Sequence, residues 1–213
     1  MSNLRPALTL VILMTFALGI VYPLAITGVS SLVFPGQAAG NLLREGATLM
    51  GSKLIGQQFS EPRYFWGRPS ATAPQPYNGL ASGGSNLGPL NPALLDQVEA
   101  NLKSLEAAQP AQAAAVQAGT EQAGARQAGA VPVDLVTASA SGLDPNLSVA
   151  GAQFQAARIA DARHMAPAAV QALIERMQSR PLFGIIGESQ VNVLELNMAL
   201  DRLREQDSTP GSR

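Results

Sequence analysis

Between Arg5 and Arg44 the chain carries no charged side chain, and within that window residues 7–33 are almost wholly apolar. As a helix rising ~1.5 Å per residue, this run spans roughly 40 Å, against a hydrocarbon core of about 30 Å. A run of that length crosses a bilayer with some tilt, so the remainder reads as something tethered to a membrane. A cleaved signal peptide has an apolar core of only ~7–15 residues. A retained anchor over residues 1–34 is therefore expected, although Gln37-Ala38-Ala39 imitates a cleavage site.

The charges flanking the run nearly balance, with Arg5 and the α-amino group on one side and Arg44 and Lys53 on the other. The N-terminal flank is short and holds no acidic residue. This favours a single-pass membrane protein, its N-terminus cytoplasmic and its domain extracytoplasmic. Inside the run, Pro23 cannot donate to the carbonyl of Gly19, four residues earlier. A neighbouring helix can satisfy the freed carbonyl. Thr15 and Gly19 form a small-xxx-small pair that permits close helix approach. Thr15, Gly19 and Pro23 are thus the expected packing positions against other membrane helices.

Of the 213 residues, roughly 180 remain after the anchor, enough for one domain or one domain with an insertion. The net charge is −1 with no basic block, which excludes nucleic acid as a partner because phosphate neutralisation needs clustered Lys and Arg. There is no cysteine, which excludes disulfides, thiol nucleophiles and cysteine-held metals.

Along the chain, a short strand is expected around Thr48 and Leu49. Residues 57–70 group Phe59, Tyr64, Phe65 and Trp66, four of the ten aromatics. These read as a core cluster or interfacial group, with Arg63 and Arg68 offering a docking alternative. Residues 71–92 are rich in Gly, Pro, Ser and Asn and form a loop. Their Gly83-Gly84-Ser85-Asn86 lacks the Lys-Ser/Thr ending of a phosphate-cradling loop. Asn91-Pro92 starts a helix that runs to about Glu106. Residues 107–130 are an Ala/Gln/Gly-rich insertion with little to bury. Residues 131–136 (VPVDLV) read as a strand. Asp144-Pro145 is turn chemistry, and Ser148 caps a helix over about 149–164. A second helix begins near Pro167 with Val170, Leu173, Ile174 and Met177 on one face, and a last one covers about 191–204. Between them, residues 182–187 read as a short apolar strand or loop, and residues 206–213 as a polar disordered tail. The expected class is α+β: one transmembrane helix, then a mixed domain with halves at 35–106 and 131–205.

No catalytic constellation emerges. His164 is the sole histidine and falls at a helix end, where it caps or faces solvent. No cluster has metal-ligand spacing, and no GxSxG elbow exists. Asp144, in a Gly/Pro turn, is either a turn residue bonded to its own backbone or the carboxylate of an anchored extracytoplasmic hydrolase.

Three blocks then carry a resemblance: residues 67–92 (GRPSA…YNGLASGGSNLGPLNP), 132–148 (PVDLVTASASGLDPNLS) and 187–201 (GESQVNVLELNMALD). Together, and in this order behind one N-terminal helix, they resemble the C subunit of the high-affinity potassium-transporting ATPase, the KdpC family. Residues 107–130 look like an insertion relative to shorter members. The family often has His where this chain has Asn146 and Gly where it has Ala140, and Ser189-Gln190 stand where a Pro is frequent. The resemblance implies a non-catalytic accessory subunit, described for the family as a catalytic chaperone that raises the pump subunit's affinity for ATP. Its implied partners are a channel-like potassium-translocating subunit, a P-type ATPase subunit, a small membrane peptide and the lipid bilayer. It implies no cofactor for the chain itself; ATP and potassium belong to the complex. It marks Arg68, Ser70, Ser85, Asn86, Asp144, Pro145, Asn192 and Asn197 as candidate interface residues.

Overall fold

The computed structural model describes residues 3–109, 131–181, 184 and 186–208. Most of the insertion expected at 107–130, part of the 182–187 segment and the tail beyond Ser208 lie outside the described residues. The chain forms two compact units, Met1–Ser52 and Lys53–Arg213.

The first unit contains a continuous 30-residue helix, Leu4–Val33, that is long and apolar enough to cross a membrane. It is not uniform. Segments α1 (Leu4–Phe16) and α2 (Tyr22–Val33) flank a π-turn over Ala17–Val21. Pro23 accounts for the break: it has no N–H, and its ring would crowd the carbonyl of Gly19. The backbone widens by one residue and the Tyr22 N–H bonds Ala17 O rather than Leu18 O. Pro35 opens a one-turn helix, α3 (Pro35–Ala38). Gly40 and Asn41, both at positive φ, then turn the chain into an antiparallel hairpin of β1 (Leu42–Glu45) and β2 (Thr48–Ser52). The expected strand at Thr48 is therefore present. Its partner strand was not anticipated, because β1 is broken by a bulge between Leu43 and Arg44 that blurs its alternation.

The second unit is built on helices. Segment α4 (Pro92–Ala108) starts as expected, with the Asn91 side chain accepting from Ala93 N–H at 3.0 Å. Segment α5 (Val149–Arg163) is capped by Ser148, whose Oγ accepts from Gly151 N–H at 2.9 Å. It ends in a left-handed residue, His164 (φ 56°), with Met165 N–H reaching back to Ala160 O at 2.9 Å. Segment α6 (Pro167–Met177) buries Val170, Leu173 and Ile174, the predicted face. Strands β3 (Asn146–Ser148) and β4 (Gln190–Asn192) pair antiparallel at the foot of α5 and of α7 (Val193–Ser208). The core between these helices holds Phe65, Leu147, Ile159, Leu173, Ile174, Leu196 and Leu200. Each such side chain contributes ~1.5–3 kcal/mol by leaving water.

Three expectations are corrected. Residues 131–136 form no strand; Val133–Leu135 is a 3₁₀ turn that buries Leu135. The alternation is overridden because the Asp134 carboxylate accepts from Ser148 N–H at 2.8 Å, turning the segment onto the start of α5. Ala107 and Ala108, placed in the insertion by composition, belong to α4. The last helix runs through Ser208, so the start of the expected polar tail is helical.

Candidate functional site

Residues 61–68 lie in no strand, and side chains bond several of their backbone polar groups instead. The Asn197 amide accepts from Phe65 N–H at 2.8 Å and donates to Phe65 O at 3.0 Å. The Gln155 amide does the same for the next residue, with Trp66 N–H at 2.8 Å and Trp66 O at 3.0 Å. Arg163 Nε donates to Arg63 O at 2.7 Å, and Arg158 donates to Pro62 O. One helix face of α5 and one of α7 thus act as the missing neighbouring strands.

Arg158 is nearly buried, stacks on the Trp66 ring at 4.6 Å and bonds Gln155 Oε1 at 2.6 Å. Burial lowers its pKa to about 10. The aromatic cluster expected from residues 57–70 is divided between these roles: Phe65 fills the core, while Phe59 and Trp66 are half-buried against it.

Beyond Trp66 the chain enters the candidate residues. Arg68 Nη1 pairs with Asp144 Oδ2 at 3.3 Å, and Nη2 donates to Ala138 O at 3.4 Å. The other Asp144 oxygen accepts from Asn146 N–H at 3.0 Å, the local turn bond expected of Asp before Pro. Both carboxylate oxygens are therefore engaged. Ser70 Oγ donates to Gly142 O at 2.7 Å and accepts from Tyr77 N–H at 2.9 Å. Pro145 O accepts from Val193 N–H at 2.9 Å, and Asn192 Oδ1 accepts from Glu195 N–H at 3.1 Å, capping the first turn of α7. Asn192 also donates to Lys53 O at 2.8 Å.

Arg68, Ser70, Asp144, Pro145 and Asn192 therefore meet at one end of the domain, where the 67–78 loop crosses the 138–148 segment. Asn197 belongs to the Phe65 brace instead. Ser85 is half-buried and Asn86 is exposed in the left-handed region (φ 53°); neither joins this network. Their loop is nonetheless strapped to it, through Gly83 N–H to Ser141 O at 2.9 Å and Ser82 Oγ to Ser141 O at 3.0 Å. A Cβ on Gly84 would lie 2.8 Å from Ala140 O, so that crossing requires glycine. Asn146 sits opposite Asn192 in the β3–β4 pair.

Sequence reasoning missed Tyr77. Its hydroxyl donates to Arg68 O at 2.5 Å, and its ring packs where a Cβ on Gly56 would stand. Burial, then the Asp144 charge, raises its pKa to about 12, against a smaller opposing effect of Arg68. The available signal was an aromatic inside a Gly/Pro loop, downstream of two glycines that clear space for it. Trp66, Arg68, Tyr77, Asn101, Leu105 and Leu135 line a cavity of about 290 Å³ beside this crossing. Among the described residues, no group of three His, Asp or Glu could hold a metal.

This geometry is that of a braced scaffold, with a long apolar helix in one unit and a polar-stapled loop crossing in the other. The sequence model of the family described as "KdpC: K+-transporting ATPase, c chain" matches residues 4–202. A Variovorax paradoxus protein is 55% identical over 202 residues, covering 94% of this chain and 97% of its own. A Janthinobacterium protein is 52% identical over 201 residues (94% and 98%), and a Herpetosiphon aurantiacus protein 47% over 203 residues (95% and 97%). All three are named potassium-transporting ATPase KdpC subunits. The chain belongs to the KdpC family.

Proposed function

We propose that this chain is a non-catalytic accessory subunit of an ATP-driven potassium-uptake complex. The observation that carries the reading is the family match across residues 4–202, which takes in both the apolar helix and the loop crossing. In this reading Leu4–Val33 spans the membrane with its N-terminus in the cytoplasm. The domain stands outside, and ATP hydrolysis belongs to a P-type ATPase partner. The helix docks on the channel-like subunit through Thr15, Gly19 and Pro23, with the small membrane peptide in the same assembly. The outer domain steadies the potassium entrance. Arg68, Ser70, Ser85, Asn86, Asp144, Pro145, Asn192 and Asn197 shape the surface it presents. A domain outside the membrane meets no ATP, so the chaperone effect on ATP affinity is transmitted through the membrane helices.

Co-purification of the tagged full-length chain from native membranes tests this. The wild-type chain brings down the channel-like and ATPase subunits with potassium-stimulated ATPase activity. Gly19→Leu, which puts a side chain where the Cβ position is open, weakens assembly while leaving membrane insertion intact. Assembled, fully active complexes formed without the chain would overturn the reading.

A further inference from the structure

At the π-turn two consecutive carbonyls lose their α-helical donors. The N–H that would reach Leu18 O belongs to Tyr22 and bonds Ala17 O instead. The N–H that would reach Gly19 O belongs to position 23, which is proline and has none. Gly19 lies 15 residues from Leu4 and 14 from Val33, hence at the middle of the helix. In a bilayer that is the depth furthest from water, where lipid tails offer no donor and an unmet backbone group costs several kcal/mol. The space beside them is open: Leu18 is 62% exposed, and a Cβ at Gly19 would meet nothing within 4 Å outside the helix's own nearby backbone. Leu18, Ile20, Val21 and Leu24, exposed beside them, are apolar. A purely apolar partner would pack there but supply no donor in place of the two that are lost.

We propose that this break is a hydrogen-bonding socket. It receives one hydroxyl or carboxamide side chain (Ser, Thr, Asn or Gln) from a membrane helix of a partner subunit, which donates to the Gly19 or Leu18 carbonyl. The missing Cβ of Gly19 gives that side chain its approach. The inference rests on the reading of Leu4–Val33 as a spanning, docking helix, and sharpens it from apolar packing to a specific polar contact.

The test uses the tagged full-length chain co-purified from native membranes, with insertion of each variant checked separately. Pro23→Ala gives the peptide at position 23 an N–H and removes the cause of the π-turn. The α-helical register returns: the position 23 N–H closes on Gly19 O, Tyr22 N–H returns to Leu18 O, and both acceptors are removed. The proposal expects recovery of the complex to fall roughly three- to fifteenfold, the range of one interhelical hydrogen bond. It also expects one Ser, Thr, Asn or Gln in a partner's membrane helix whose truncation to Ala weakens the wild-type complex by a similar factor. That truncation has no further effect in the Pro23→Ala background. Unchanged recovery with Pro23→Ala, while Gly19→Leu disrupts, overturns the socket and leaves the docking reading standing. Weakened recovery with no coupled partner side chain assigns the effect to helix shape and also overturns it. Unchanged recovery with both variants removes the docking reading together with the socket.

Discussion

The side-chain amide of Asn197 forms a two-point pair with the backbone of Phe65, N–H to Oδ1 at 2.8 Å and Nδ2 to O at 3.0 Å, with both residues buried. An amide side chain on a helix here does what an adjacent β-strand does elsewhere. Removing it strands two buried backbone groups at once. Asn197→Leu is expected to lower stability by roughly 2–4 kcal/mol, since each unmet buried group costs ~1–3 kcal/mol. Urea unfolding of the full chain in detergent measures this. A loss below about 1 kcal/mol would mean that the Phe65 segment finds other partners.

Tyr77 makes stability depend on alkaline pH. Its folded-state pKa is held up at about 12, chiefly by burial, against an ordinary value of 10.0. Above the ordinary value the unfolded chain has lost the phenol proton while the folded one keeps it. Its contribution is therefore complete below pH 10 and lost as pH rises toward 12, on the order of 2 kcal/mol in all. Arg158, lowered to about 10, acts in the opposite sense over an overlapping range. The difference between wild type and Tyr77→Phe cancels that effect. Unfolding free energies from pH 9 to 12 are expected to converge as pH rises, Tyr77→Phe lacking the wild-type decline.

Asp144 separates its two roles by substitution. Asp144→Asn keeps an oxygen for Asn146 N–H and removes the charge facing Arg68. The pair is partly exposed, so the expected loss is about 1 kcal/mol or less. Asp144→Ala removes the turn acceptor as well and is expected to cost ~1 kcal/mol more. Asp144→Asn also lowers the Tyr77 pKa, because the carboxylate charge raises it. Thermal melts and ultraviolet tyrosine titration read the two effects.

Two residues at positive φ predict opposite outcomes. His164 closes α5 at φ 56°, a conformation that costs a residue with a Cβ roughly 1 kcal/mol relative to glycine. His164→Gly is expected to raise Tm by about 2–4 °C. Gly142 sits at φ 66° with Gly83 O 2.7 Å from where a Cβ would stand. Gly142→Ala is expected to destabilise by more than ~1 kcal/mol, since conformation and close approach both oppose it. Differential scanning calorimetry of the two variants checks the signs.

What the sequence determined by itself is local. The uncharged run fixed the long apolar helix, Pro23 marked where its hydrogen-bond ladder fails, and Asn91, Ser148 and Pro167 fixed three helix starts. Each depends on residues within one or two turns of chain. The tertiary structure decided the rest. VPVDLV alternates like a strand, but Asp134 reaches Ser148 and no strand among the described residues pairs with it, so the segment becomes a turn. In sequence Asn197 is a family-marked interface candidate and Gln155 an ordinary polar helix position, 132 and 89 residues away from the backbone groups they satisfy. Tyr77 becomes the hub of the loop crossing only because Gly56 leaves room for its ring and Arg68 offers its carbonyl. Hydrophobic period and capping chemistry are written along the chain. Which side chain satisfies a distant backbone group is set only when the core closes, because burial alone makes an unmet N–H or C=O costly.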